Sequence, residues 1–130
     1  MTAKENPLIL IVGVCASGKT TLSTGLRERG YNARSLAQEH SVSPRFWMRR
    51  NPDFLILLDC AYATIQRRKQ VSWGLERYYT QKKILAHARE HADAIVVTDN
   101  FTPDQLIDHV EGILNNHGIY PCDRGEQYGS

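Results

Sequence analysis

LILIVGVCASGKTTL, residues 8–22, is the stretch on which the reading of this chain turns. Five apolar residues, Leu8 to Val12, read as a fully buried strand that runs straight into a loop with glycines at 13 and 18. Lys19 to Arg29 then reads as a helix, with Leu22 and Leu26 on one face and Gly30 placed to end it. Between strand and helix, Gly13 to Thr20 fits G-x-x-x-x-G-K-[ST] without a departure, in the strand, loop and helix setting that the pattern requires. Glycines let such a backbone curl until consecutive N–H groups point inward at phosphate oxygens, and the helix N-terminus adds partial positive charge. Gly13, Cys15, Ala16, Ser17, Gly18, Lys19, Thr20 and Thr21 are therefore the candidate residues for holding a nucleotide. Lys19 would reach the β- and γ-phosphates, and the Thr20 hydroxyl would ligate magnesium.

Outward from that stretch, short apolar runs alternate with helical patterns. Asn32 to Leu36 reads as a second strand, Phe54 to Leu58 closing on Asp59 as a third, and Ala94 to Val97 as a fourth. Ala61 to Gln70 reads as a helix, and Trp73 to Ala92 as a longer one with Leu75, Tyr79, Ile84, Leu85 and Ala88 along its stripe. Thr102, Pro103 and Gln105 supply an N-cap, a first-turn proline and a capping-box partner for a last helix carrying Leu106, Ile107, Val110, Ile113 and Leu114. Residues 37–52 are polar and irregular, a loop with at most a short helix. Strands that alternate with helices imply an α/β three-layer sandwich with a mostly parallel sheet of about four or five strands, because parallel strands need crossover connections. Ligands in such sheets sit beyond the carboxyl ends of the strands, where the Gly13 to Thr20 loop lies.

Composition narrows the function classes. The 130 residues, 42% of them hydrophobic, suffice for one core and are too few for two ordinary domains. The expected division is one domain over residues 1–117 and a flexible tail over 118–130. Sixteen basic residues against fourteen acidic ones leave a net charge of +2, too mild to announce a nucleic-acid or membrane partner. Three cysteines, Cys15, Cys60 and Cys122, lack the spacing of a disulfide framework or a metal site and point to a reducing compartment. The N-terminus has no cationic region followed by a long apolar core, and no apolar run reaches membrane-spanning length. The expectation is a cytoplasmic protein.

The loop resembles that of the small P-loop nucleoside, nucleotide and metabolite kinases, and the resemblance extends from Leu8 to Leu114. NPDFLILLD is similar to the later core strand of thymidylate-kinase-like and shikimate-kinase-like enzymes, which in that family precedes a lid carrying arginines. IQRRKQ occupies that place here, so the resemblance implies that Arg67 and Arg68 touch the transferring phosphoryl group. ADAIVVTDNFTPDQLIDHVEGIL resembles the family's last strand and helix, and Thr98 to Pro103 would be the loop against the adenine. The implied ligands are ATP and Mg2+, with a small anionic acceptor. No N-K-x-D signature for guanine is present. The family's acceptor-binding region has only about twenty residues, 31–52, in which to fit, a short allowance for even one helical crossover.

Several positions keep two readings at this stage. Glu39, where the second strand should end, is either a base or an acid facing magnesium-bound water, or else a surface glutamate. His40 either bonds a phosphate or substrate, or is solvated. Asp59 is either a metal-directed acid at a strand end or the cap of the next helix. Arg67 and Arg68 neutralise transferring charge or line a solvated helix face. Arg45, Arg49 and Arg50 favour an anionic acceptor weakly or are surface charges, with Phe46 and Trp47 beside them as a stacking platform or as core. His87 and His91 share a helix spacing without the adjacent glutamate of a zinc motif.

Overall fold

A computed structural model of the chain describes residues 6–69 and 74–122. The elements run β1 (Leu8–Gly13), α1 (Lys19–Glu28), β2 (Asn32–Ser35), β3 (Phe54–Asp59), α2 (Tyr62–Lys69), α3 (Leu75–Ile84), α4 (Ala86–His91), β4 (Ala94–Val97) and α5 (Pro103–Asn116). Two short 3-10 turns, Gln38–His40 and Phe46–Arg50, occupy the irregular span between β2 and β3.

The four strands form one sheet in the order β2-β1-β3-β4, and every pairing is parallel. Strand alternation sorts the apolar side chains onto two faces. Ile9, Ile11, Ile56, Leu58 and Val96 pack with Leu22 and Leu26 of α1 and with Leu106, Val110 and Leu114 of α5. Leu10, Val12, Leu55 and Leu57 pack on the other face with Ile65 of α2, Tyr78 of α3, Leu85, Ala88 of α4 and Trp47. Helices thus cover both faces of the sheet, an arrangement compatible with three layers. All six residues of β3 are buried, as its continuous apolar run implies for a strand covered on both sides.

Local chemistry explains the helix ends. Gly30 has φ 100°, and the bonds Gly30 N–H to Arg27 O and Tyr31 N–H to Leu26 O close α1 as a Schellman motif. In α5 the Thr102 side chain accepts from Gln105 N–H and the Gln105 side chain accepts from Thr102 N–H, a complete capping box. At its other end, Ile119 N–H donates to Leu114 O and Cys122 N–H donates to Gly30 O. Residues 118–122 of the expected tail are therefore tied to α5 and to the turn after α1, and 123–130 lie outside the described residues.

Two readings need correction. The helix expected over 73–92 is α3 and α4, separated by Leu85 at φ −82°, ψ −7°, and its expected start at 73 lies outside the described residues. Its buried stripe is Tyr78, Gln81, Leu85 and Ala88, while Leu75 and Tyr79 are exposed. A polar residue at the second inward position disguised the true face. No helix among the described residues is long and apolar enough to cross a membrane.

Candidate functional site

The carboxyl end of β1 delivers the chain into a loop that lies over a cavity of about 640 Å³. Cys15, Ala16, Ser17, Gly18, Lys19, Thr20 and Thr21 form one wall of the cavity. Ser35 to Ala37, with Glu39 and His40, form a second, from the end of β2. Arg68 and Lys69 at the end of α2, with Thr98, Phe101 and Thr102 between β4 and α5 and Pro103 and Leu106 of α5, complete it. Gly13 does not line the space but fixes the approach of its two neighbours. A Cβ there would lie 2.3 Å from Leu58 O and 2.8 Å from Ser17 Oγ, so only glycine lets β1 pass into the loop beside β3.

The loop's shape is unusual in two respects. Ala16 has φ 63°, a left-handed conformation that a residue with a Cβ adopts at a cost, and Gly18 has φ 109°. Three consecutive residues are gripped from outside the loop. Cys15 N–H donates to Gln81 Oε1 at 3.0 Å, Arg68 donates to Ala16 O at 3.0 Å, and Thr98 Oγ1 donates to Ser17 O at 2.8 Å. Helices α2 and α3 and the end of β4 thus each hold one peptide of the arc. A strained residue persists where its surroundings over-determine it, and these three bonds do so for Ala16.

At the start of α1 the N-cap position is Gly18, which offers no side-chain cap, and no acid stands in the first turn. Lys19, Thr20 and Thr21, whose N–H groups have no acceptor within the helix, line the cavity. The contrast with the fully capped α5 is sharp. Lys19 Nζ donates to Gly13 O and Val14 O, each at 3.0 Å, and to Glu39 Oε2 at 2.7 Å. The Glu39 side chain is only 3% exposed, and its Oε1 has no hydrogen-bond partner among the described residues. His40 Nε2 lies 3.6 Å from Glu39 Oε2 and is largely exposed.

The candidate residues are therefore only partly brought together. Lys19, Glu39, Thr20 and Arg68 share the cavity, while Arg67 and Asp59 do not. Arg67 turns back to Thr64 Oγ1 at 3.4 Å. Arg68 also donates to Thr98 O at 2.6 Å and to Thr98 Oγ1 at 3.1 Å, so its first task is to fasten the loop to the β4–α5 connection. Asp59 accepts from Cys60 N–H, and its Oδ2 lies 3.4 Å from Lys82 Nζ and 3.2 Å from Arg89. The start of α2 is instead satisfied by Asp99, whose Oδ1 accepts from Ala61 N–H and from Thr64 Oγ1. Burial alone would raise the Asp99 pKa, but the Thr64 and Ala61 bonds and the nearby Arg68 outweigh it and hold it below the ordinary carboxylate value.

The basic group Arg45, Arg49 and Arg50 does not line the cavity. Trp47 is buried and Arg49 stacks over Phe46 at 5.8 Å. Trp47 Nε1–H donates to His87 Nδ1 at 3.1 Å, and His91 stacks on His87 with ring centroids 4.4 Å apart. Among the described residues no group of three or more His, Cys, Asp or Glu side chains is gathered as a metal site. Burial pushes the Cys60 thiol up to about 11, so it stays protonated and inert at neutral pH.

Lys69 and Gln81 are residues of this region to which the sequence reading gave no role, and the bonds of Asp99 to the start of α2 went unread. Gln81 had a visible signal, a polar side chain three residues after Tyr78 and four before Leu85 on an otherwise apolar face. Asp99 had none, since its partners lie 35 and 38 residues away. No protein-family model matches the chain, and no curated protein matches it.

Proposed function

We propose that the cavity binds Mg·ATP and that the chain is a small P-loop NTPase of the phosphotransferase kind, passing the terminal phosphoryl group to a small acceptor. The observation that carries this reading is the convergence on one cavity of an uncapped helix N-terminus, Lys19, and a buried carboxylate with one unpartnered oxygen. Helix N-termini and inward N–H groups bind anions, and a lysine at this position neutralises the outer phosphates. A volume of about 640 Å³ falls in the range of small-ligand sites.

The residues fit magnesium as far as their chemistry goes. Mg2+ takes most of its ligands from phosphate and water and few from protein, and the Thr20 hydroxyl at the cavity wall is the one this chain would supply. When bound, the ion neutralises phosphate charge. Asp59, outside the cavity and beside two cations, does not suit that role.

The chain's own groups divide the work. The loop N–H groups and Lys19 hold the phosphates in place. An acceptor hydroxyl near Glu39 attacks the γ-phosphorus in line, the bond to the bridging oxygen breaks, ADP leaves, and Glu39 Oε1 receives the hydroxyl proton. Arg68 lines the cavity and retains guanidinium donors beyond the three bonds that it makes among the described residues. Catalysis of this kind is positioning and electrostatics.

A second reading, a nucleotide-binding regulator or slow NTPase without an acceptor, is favoured by one observation. The span between β2 and β3 holds only two 3-10 turns, and its arginines lie outside the cavity wall. Calorimetric titration of ATP, ADP and GTP with magnesium, followed by phosphorus NMR with and without a metabolite pool, separates the two. Transfer only in the presence of the pool supports the phosphotransferase. ATP that binds and persists supports the regulator. Unchanged nucleotide affinity in Lys19→Ala would sink both, because that change removes a direct phosphate contact.

A further inference from the structure

We propose that Gln81 is a positioning residue that sets the γ-phosphate end of the loop through Cys15, so that the site distinguishes triphosphate from diphosphate. The inference rests on the ATP reading and concerns a residue that the reading does not use.

The side-chain amide of Gln81 projects inward from α3 and is 2% exposed. Its Oε1 accepts from Cys15 N–H at 3.0 Å, while its Nε2 has no hydrogen-bond partner among the described residues. A buried amide with one end unpaired costs the fold desolvation that an apolar side chain of similar shape would not incur. Its neighbours on the same stripe, Tyr78, Leu85 and Ala88, fill the core beneath the sheet. Packing therefore does not explain a glutamine here, whereas the bond to Cys15 does.

The bond acts at one end of the loop. Lys19 Nζ, which reaches the β- and γ-phosphates in this pattern, sits against Gly13 O and Val14 O. Cys15 is the next residue, so the peptide held by Gln81 lies at the outer-phosphate end, and the α1 N-terminus lies at the other. Ala16 follows with its strained φ of 63°, its carbonyl held by Arg68. If Gln81 lets go, the Val14–Cys15 peptide is free to relax, and the N–H groups nearest the γ-phosphate lose their aim. The N–H groups of Gly18 to Thr21, fixed by α1, keep theirs. Loss of Gln81 should thus weaken triphosphate binding selectively.

Gln81→Met keeps length and helix propensity and removes the acceptor. Calorimetry with magnesium compares the β,γ-imido analogue of ATP with ADP in the wild type and in this variant. The analogue should lose about tenfold in affinity, and ADP should change by less than about threefold. Equal losses for both nucleotides mark a merely structural residue and overturn the proposal, as does no loss for either. A wild-type protein that binds neither nucleotide overturns the ATP reading and this inference with it. If the variant does not fold, amide hydrogen exchange on the wild type decides. Cys15 N–H should exchange slowly in the free protein and more slowly with the analogue than with ADP, and an unprotected Cys15 amide, or equal slowing by both nucleotides, overturns the assignment.

Discussion

Lys19 Nζ and Glu39 Oε2 lie 2.7 Å apart, and this contact takes the third and last proton of an ammonium whose other two go to Gly13 O and Val14 O. In the proposed complex, a phosphate competes with Glu39 for this proton of Lys19. Displacement leaves the carboxylate beside the new ligand with both oxygens available, because Oε1 has no partner among the described residues. In the proposed reaction, the group that pairs with Lys19 becomes the group that accepts the proton.

Opposite effects on binding and turnover follow for Glu39→Gln. The neutral amide competes less well for Lys19 and repels phosphate less, so ADP affinity measured calorimetrically should rise by about tenfold. Turnover followed by phosphorus NMR should fall by about a hundredfold or more, the usual range for loss of a general base. Weakened binding together with retained turnover would show that Glu39 is only a structural partner of Lys19.

Gly13→Ala tests the close approach of loop and sheet. The added Cβ meets Leu58 O at 2.3 Å, a backbone atom fixed by the β1–β3 pairing, so the strand must move. A cost of about 1–3 kcal/mol is expected from overpacking of this kind, read from urea unfolding midpoints. Gly25→Ala is the control. Its Cβ meets Ile107 Cδ1 at 2.3 Å and Cγ1 at 2.8 Å, but both are atoms of one side chain that can turn aside rather than backbone, and the change gains about 1 kcal/mol of helix propensity. It should be the milder substitution of the two.

How far the sequence was legible depended on the range of each interaction. The capping box of Thr102 and Gln105 and the closing turn at Gly30 were readable because their partners lie within a few residues. The Lys19 loop was readable because its pattern is contiguous. The grips on that loop were not, since Gln81 is 66 residues from Cys15 and Arg68 is 52 from Ala16. Strand order was hidden for the same reason, and with it the placement of Asp59 beside Lys82 and Arg89 rather than on the cavity wall. The placement of the arginines at 45, 49 and 50 off the cavity wall was not readable, because charge alone does not say which way a short turn faces, and the burial of Trp47 decides the seating of this one.

Acid should loosen the seating of that turn. The His87 pKa lies below the ordinary imidazole value because of partial burial, then His91 and then Arg45, and its Nδ1 accepts from the Trp47 indole. A histidine whose pKa is lowered by folding favours the neutral state in the native protein. Its contribution is thus full above the unfolded value of about 6.5 and is lost as pH falls through the folded one. Ring-proton NMR should give His87 a midpoint below about 6.5, and His91→Gln should raise it by removing a like charge. Urea midpoints should decline over the same interval, and a flat profile would assign the Trp47 contact no part in stability.

Arg67 and Arg68 are adjacent in sequence and should differ in consequence. Arg68 joins Ala16 O, Thr98 O and Thr98 Oγ1, and so holds the loop against the β4–α5 connection. Among the described residues Arg67 reaches Thr64 Oγ1 on its own helix. Arg68→Ala releases two carbonyls and lets Ala16 leave its left-handed conformation, so ATP affinity should fall by about tenfold or more. Arg68→Lys should recover little, since one ammonium cannot replace a planar fork that spans three acceptors. Arg67→Ala should leave affinity within about twofold. Comparable losses from both alanine variants would instead mean that α2 rotates on nucleotide binding and brings Arg67 to the phosphates, a rearrangement that crystallisation with the imido analogue would then reveal.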